Sequence, residues 1–310
     1  MELWLILLLA LTFDVTLGEP PNFIHPVAWM GRVASFLEKG SVNQSRAFQL
    51  FYGAGITLFT ISLFAVPTYF ILFYLEGLGS IAYVIAGAIL FKFSFSLQGL
   101  RRAALRVRGL LLEDKLGEAR FEIRSLVSRD TQNLTRPLLV SATVESVAEN
   151  TSDSFVAPLF YFLLFGVPGA IAYRVVNTLD AVVGYHGKYE YLGKFASRLD
   201  DVLNFIPARL TALLLVSAAF LSRRDGRNSW QVAYGEHAKT ESPNAGWPMA
   251  AVAGALNVQL EKAGHYKLGG PSTPDAPETI AASLGLAQIA MLLWVLMCLA
   301  VGGIWYVLTT

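Results

Sequence analysis

The chain has 310 residues, of which 54% are hydrophobic and 15% charged, with a mean hydropathy of +0.49. That is too apolar for an ordinary soluble domain. The net charge of +1 excludes a broad basic surface for nucleic acid, and the single cysteine, Cys298, excludes an intramolecular disulfide.

In chain order, Met1–Leu17 is apolar but short and interrupted by Asp14. It lacks the basic start and small-residue cleavage site of a signal peptide, so it is expected to remain as a first helix. The loop Gly18–Arg46 is dense in stiff and polar residues, among them Glu19, His25, Trp29 and Arg32. Its Pro pairs favour an extended path, and Trp29 and Arg32 suit either the membrane interface or the border of a ligand. Ala47–Leu75 carries no charge and Leu78–Leu97 only Lys92. Each is long enough to cross a hydrocarbon core, which takes about 20 helical residues. The link Glu76-Gly-Leu-Gly-Ser80 has no basic residue, whereas Arg32, Lys39 and Arg46 precede the pair and Arg101, Arg102, Arg106 and Arg108 follow it. Cationic flanks favour the cytoplasm, so the hairpin is expected to enter from there, with both chain ends outside.

The insertion Gln98–Asn150 ends in the run Glu145-Ser-Val-Ala-Glu149-Asn150-Thr-Ser-Asp153. Its carboxylates recur at i, i+4 and i+8, roughly one face of a helix. In isolation such a run reads as a solvated face. Here it leads straight into the apolar Phe155–Phe165, where bare carboxylates are costly, so a hydrated Mg²⁺ holding substrate phosphates is the expected neutralising cation. Phe155–Tyr173, broken by Pro158 and Gly166-Val-Pro168-Gly169, and the short Leu210–Leu221 are expected to be re-entrant or protein-buried. A single crossing by each would leave Arg174, Lys188, Lys194, Arg198 and Arg209 outside, against the charge rule.

Further polar groups follow. Asn177 and Asp180 pair at i, i+3, and Asp200, Asp201 and Asn204 share a helix turn flanked by Arg198 and Arg209. Acids and amides supply the oxygen ligands that Mg²⁺ prefers, and Arg binds phosphate through two parallel hydrogen bonds. The plainer reading of the Arg–Asp neighbours is a salt bridge capping a helix. Gly187 to Phe195 superficially suggests a P-loop, but its glycine spacing is one residue too long and Phe195 stands where Ser or Thr is required. His25, His186, His237 and His265 show no zinc spacing, and the Asn43, Asn133 and Asn150 glycosylation triplets read as chance matches. In the insertion Ser222–Glu278, Ser242-Pro-Asn244-Ala-Gly-Trp could offer backbone N–H groups to an anion, and Gly264–Pro277 reads as an irregular loop. Ile280–Thr310 is a last charge-free span.

No repeat stands out and strand-like alternation is scarce. The expected fold is an all-α integral membrane protein, one polytopic helical bundle over residues 1–310. It has about four full spans, re-entrant or buried short helices, and polar cytoplasmic insertions at about 18–46, 98–150 and 222–278.

In order along the chain, Gly-Glu-Pro-Pro…His25-Pro-Val-Ala-Trp29-Met-Gly-Arg32, Ser128-Arg129-Asp130-Thr131 and Glu145…Glu149-Asn150-Thr-Ser-Asp153 form one pattern. It continues through Asn177-Thr-Leu-Asp180, Arg198-Leu-Asp-Asp-Val-Leu-Asn204…Pro-Ala-Arg209-Leu and Ser242-Pro-Asn-Ala-Gly-Trp. From about Asp14 to Leu256 the chain closely resembles the adenosylcobinamide-phosphate synthase family of cobalamin biosynthesis (CobD/CbiB). The resemblance implies a ligase of the cytoplasmic membrane that uses ATP and Mg²⁺. It would join the free propionate of adenosylcobyric acid to aminopropanol phosphate or threonine phosphate, alone, as a homo-oligomer, or with other membrane enzymes of cobalamin synthesis. On this reading Glu145, Glu149 and Asp153, with Asn150, hold Mg²⁺ and nucleotide phosphates. Asp200, Asp201 and Asn204 complete that site or orient the amine, Asn177 and Asp180 add ligands, and Arg198 and Arg209 bind phosphate. His25, Trp29 and Arg32 contact the corrinoid, and Arg129, Asp130, Ser242 and Asn244 contact substrate. The chain departs from the family pattern at Met249, where an acid is expected, and in Tyr234–Glu241 and Leu260–Gly269. Two other readings compete: a non-catalytic membrane sensor of the same fold, and an intramembrane prenyltransferase, which would need a repeated acidic motif that is absent.

Overall fold

The computed structural model describes residues 2–21, 23–41, 44–184, 190–271 and 273–309. Asn43, His186, Gly187 and Lys188, singled out above, lie outside the described residues. The helices are α1 (Glu2–Leu17), α2 (Pro26–Leu37), α3 (Arg46–Leu78), α4 (Ser80–Lys92), α5 (Leu97–Leu112), α6 (Leu116–Glu122) and α7 (Arg136–Thr151). They continue as α8 (Ala157–Val183), α9 (Lys194–Leu203), α10 (Phe205–Leu221), α11 (Gly226–Glu236), α12 (Gly246–Leu256) and α13 (Glu278–Thr309). The only strands among the described residues are β1 (Gln259–Lys262) and β2 (Tyr266–Gly269), so the protein is all-α in class, as expected.

The hairpin corrects the irregular loop expected at Gly264–Pro277, since β2 lies within it. Each strand has four residues, too few for alternation to register in a sequence scan. The buried Leu260 and Leu268 face one another across the ladder, and Gly264 turns the chain at φ +78°.

Among the described residues, four helical stretches are long and apolar enough to cross a membrane: Arg46–Leu78, Ser80–Leu112, Arg136–Val183 and Glu278–Gly303. The bent pair Lys194–Leu203 and Phe205–Leu221 makes a fifth if taken as one span. The number meets the expectation, but its membership does not. With 16 residues α1 is about 24 Å long, short of the roughly 30 Å hydrocarbon core. Phe155–Tyr173, expected to be re-entrant or buried, falls inside the third of these stretches by length and composition, and within it only Leu164 and Phe165 are exposed, in keeping with a protein-buried segment. Its prolines are compatible with this. Pro158 follows closely on the π-helical Ser152–Val156, whose widened turn accommodates its ring, and Pro168 follows the non-helical Phe165 and Gly166, where a helical N–H would lack a partner anyway. Gly166, at φ +64°, takes the left-handed conformation open to a residue without Cβ.

The described residues gather into two compact units, each assembled from separate stretches of the chain. The first contains residues 1–96, 157–203 and 302–310, and the second residues 97–156 and 204–301. In the first, α1 packs on α4, and α8 packs on α2, α3, α4 and α9. Helix α3 is inverted relative to a soluble helix. Thr57, Thr60 and Thr68 are buried and bonded to the carbonyls four residues back, while Phe59, Phe70 and Phe73 are exposed. Small polar residues inward and large apolar ones outward mark a helix solvated by lipid.

In the second unit α12 packs on α7, α10 and α11, and β1 docks on α7. From Leu139 to Ala148 every residue of α7 is buried, so Glu145 has no wet face to turn to. Just beyond, residues Ser152–Val156 form a π-helical segment, a local widening that often accompanies functional sites.

Candidate functional site

In the second unit the polar centre is Glu145, only 5% exposed. Its Oε1 accepts from Ser141 Oγ at 2.7 Å and its Oε2 from the Tyr266 hydroxyl at 2.9 Å. Arg129 Nη2 lies 3.2 Å from Oε2. Helix α7 contributes Ser141 and Glu145 one turn apart. The hairpin is held on α7 by the Glu261 N–H, which donates to Ser141 Oγ at 2.8 Å. Register pairs Lys262 with Tyr266, and both reach the same small cavity of 120 Å³. Arg129, Glu145, Ser146 and Glu149 also line it. Burial and the Glu145 carboxylate push the Tyr266 hydroxyl up, so it stays a proton donor to Glu145.

The cation that buried Glu145 requires is therefore a side chain, Arg129. No group of three or more His, Cys, Asp or Glu able to hold a metal ion occurs among the described residues. The triad Glu145, Glu149 and Asp153 does not fit the magnesium cage that its spacing predicts. The α-helical register on which that stack depends ends at Thr151, and Asp153 falls in the π segment. Asn150, expected near nucleotide, bridges this junction: its amide donates to Ser146 O at 3.0 Å and accepts from Ser154 Oγ at 2.9 Å. Asp130 is exposed and caps its own turn, accepting from Gln132 N–H.

A second cluster in the same unit gathers Arg209, Ser242 and Asn244. The Arg209 guanidinium lies 3.6 Å over the Phe205 ring and 5.1 Å from that of Trp247, and it donates to Asn244 Oδ1 at 3.1 Å. Asn204, at the start of α10, is buried. Of the turn's N–H groups that could have met an anion, those of Asn244 and Ala245 both donate to Ser242 Oγ at 3.2 Å. Trp247 stacks on the His237 ring at 3.9 Å. Gly246 permits this, since a Cβ there would run into the His237 carbonyl.

The first unit carries a chain of buried charges. Lys92 Nζ lies 3.1 Å from Asp14 Oδ1 and 2.9 Å from Glu19 Oε1. Glu19 Oε2 lies 2.9 Å from His25 Nε2, and His25 Nδ1 accepts the Val27 N–H at the start of α2. An accepting Nδ1 places the proton of neutral His25 on Nε2, which donates to Glu19. Glu19, His25, Ser96 and Arg174, with walls from Phe93 and Phe95, line a cavity of 390 Å³. Arg174 donates to Asn177 Oδ1 at 3.3 Å, and Asn177 donates to Asp200 Oδ1 at 3.4 Å. Arg198 pairs with Asp201 at 3.4 Å, and Ser197 bonds Asp180. The sequence-predicted acids and amides of this stretch thus do assemble. Trp29 and Arg32 are exposed on α2 and make local bonds, Trp29 to Phe23 O and Arg32 to Ala28 O.

Sequence reasoning missed Tyr266, Lys262, Ser141, Lys92 and Arg174 as site residues. For Lys92 and Asp14 a signal existed, because a charge inside an apolar run needs a partner of opposite sign. For Tyr266 there was none.

The Glu19 carboxyl is raised by burial. Hydrogen bonds from His25, Ser96 and Lys92 and the Lys92 charge outweigh that effect, holding it at about 2 against an ordinary 4.5. A depressed folded value means the stabilisation is full above pH 4.5 and is lost as pH falls toward 2. It is worth on the order of 3 kcal/mol. Unfolding of the purified protein in detergent between pH 6 and pH 2.5 should show this loss, and Glu19→Gln should flatten it. An unchanged acid slope in that variant refutes the assignment.

A family model described as CobD/CbiB protein matches residues 7–296. The "Cobalamin biosynthesis protein CobD" of Dehalococcoides mccartyi (strain CBDB1) is 55% identical over 306 residues, 99% of each chain. The "Probable cobalamin biosynthesis protein CobD" of Methanothermobacter thermautotrophicus is 41% identical over 94% of this chain and 95% of its own. That of Thermococcus kodakarensis is 41% identical over 93% of this chain and 92% of its own. No solved structure matches the chain.

Proposed function

Because the chain belongs to the CobD/CbiB family, we propose that it is an amide-forming ligase of cobalamin biosynthesis. It joins the free propionate of adenosylcobyric acid to the amine of aminopropanol phosphate or threonine phosphate, and ATP is consumed. Beyond the family, the observation that carries this reading is the cavity on α7. It holds two buried or half-buried carboxylates and two cations in a space suited to a small charged substrate.

A carboxylate is a poor acyl donor until one of its oxygens becomes part of a leaving group. Transfer of the terminal phosphoryl group of ATP to the propionate makes an acyl phosphate and ADP. The neutral amine then attacks the acyl carbon, the C–N bond forms, phosphate leaves with the C–O bonding pair, and the nitrogen gives up one proton to the departing phosphate or to water. Such chemistry asks the protein for positioned charges more than for a nucleophile. ATP would bring magnesium on its phosphates, and a hydrated ion of that kind takes only one or two protein carboxylates. We assign neither Glu145 nor a three-carboxylate cage to it. Within the first unit, Asn177, Asp180, Arg198, Asp200 and Asp201 are the set proposed for nucleotide phosphates. The cavity at Glu19, His25 and Arg174 is proposed for a polar edge of the corrinoid. The arginines at the start of the second and third polar insertions favour a reaction on the cytoplasmic side of the cytoplasmic membrane.

The test is an endpoint assay on protein in nanodiscs with ATP, Mg²⁺, adenosylcobyric acid and each amine, read by mass spectrometry. Amide-linked corrinoid with stoichiometric ADP is expected. Folded protein that forms neither product refutes the ligase and favours a non-catalytic member of the fold.

A further inference from the structure

The cavity on α7 is lined by charges of both signs, and this restricts its ligand. Arg129 lies in it with its side chain 16% exposed, and its Nε and Nη2 hydrogens, the two that form one edge of the guanidinium fork, lack hydrogen-bond partners. Nη2 is 3.2 Å from Glu145 Oε2 without making a hydrogen bond to it, while that oxygen accepts from Tyr266. A buried fork edge with unmet donors suits an oxyanion such as phosphate, which takes both at once. Lys262, with no carboxylate partner among the described residues, adds a second cation to the lining.

Glu145, paired with Arg129, and Glu149 line the same cavity. A bare divalent cation would meet Arg129 and Lys262, and a simple anion would meet the two carboxylates. A molecule carrying both charges satisfies both signs of the lining. At 120 Å³ the cavity is far too small for a corrin ring, and its charged lining suits a small polar ligand better than the flat, largely uncharged face of a nucleobase.

We propose that this cavity is the subsite for a small zwitterion, a phosphate monoester with a primary ammonium a few bonds away. The phosphate lies on Arg129 and Lys262 and the ammonium on Glu149, while Glu145 holds Arg129 in place. The amine side of the ligase reading is thereby located, and the proposal rests on that reading for the amine's fate but not for its binding.

The test is calorimetric titration of the full-length protein in nanodiscs, without ATP or corrinoid, using 1-amino-2-propanol phosphate, n-propyl phosphate and inorganic phosphate. The aminoalcohol phosphate should bind about tenfold more tightly than n-propyl phosphate, the effect of one partly buried charge pair. Lys262→Met should weaken both organic phosphates about tenfold. Glu149→Gln should weaken the aminoalcohol phosphate alone. Equal binding of the two organic phosphates by the unaltered protein, or a Glu149→Gln variant that keeps the preference, overturns the subsite. Inorganic phosphate binding as tightly as the aminoalcohol phosphate also overturns it. If the aminoalcohol phosphate binds as described but no amide forms in the turnover assay, the ligase reading fails and the subsite stands. If amide forms while both variants bind like the unaltered protein, the subsite alone fails.

Discussion

Lys92→Met is expected to destabilise the protein by about 3–5 kcal/mol, the cost of leaving buried charge without its partner. Asp14 is fully buried and Lys92 nearly so, and one ammonium serves two carboxylates, Asp14 and Glu19. Removing it takes the cation from the fully buried Asp14, where uncompensated charge is expensive, and leaves Glu19 only its bonds to His25 and Ser96. The measurement is thermal unfolding of the purified variant in detergent beside the unaltered protein. The double variant Asp14→Asn, Lys92→Met should recover part of the loss, since removing both charges costs less than orphaning one. A Lys92→Met protein that melts like the original refutes the role of this network.

Glu145→Ala carries the second large effect. It leaves Arg129 without a carboxylate and removes the acceptor for Ser141 and Tyr266, at a further cost of about 3–5 kcal/mol. The more informative variant is Glu145→Gln, which preserves shape and hydrogen bonding but not charge. If Glu145 positions Arg129, this variant should raise KM for the amine substrate about tenfold and change kcat little. If Glu145 were a magnesium ligand, the same variant would raise the Mg²⁺ concentration needed for half-maximal turnover. The two readouts separate the roles. Loss of kcat with an altered Mg²⁺ requirement and an unchanged amine KM refutes positioning.

The contrast between these two variants shows where sequence reading reached and where it stopped. Glu145 stood out as a carboxylate leading into apolar sequence, and the argument that it needs a cation was sound. The cation's identity was not legible. Arg129 comes from a loop 16 positions upstream and Tyr266 from a hairpin 121 positions downstream. Nothing local marks either as its partner. Asn177, Asp180, Arg198, Asp200 and Asp201 were legible as a set, because α8 and α9 are neighbours in the chain and their spacing already places the polar groups on helix faces. Asp14 and Lys92 were both visible as interruptions of apolar runs, and only packing of α1 on α4 joins them.

By itself the amino-acid order determined the solvent and the element type. Runs of about 20 apolar residues have one stable form in lipid, since backbone groups there must bond within the helix. It determined the family as well, through motifs long enough to be unambiguous. Only the tertiary structure decided which cation meets which carboxylate, that a hairpin closes over α7, and that a mixed-charge cavity stands where a metal cage was expected. Helix formation depends on neighbours a few residues away. The pairing of buried charges depends on distances in space, which hydrophobic packing sets between residues far apart in the chain.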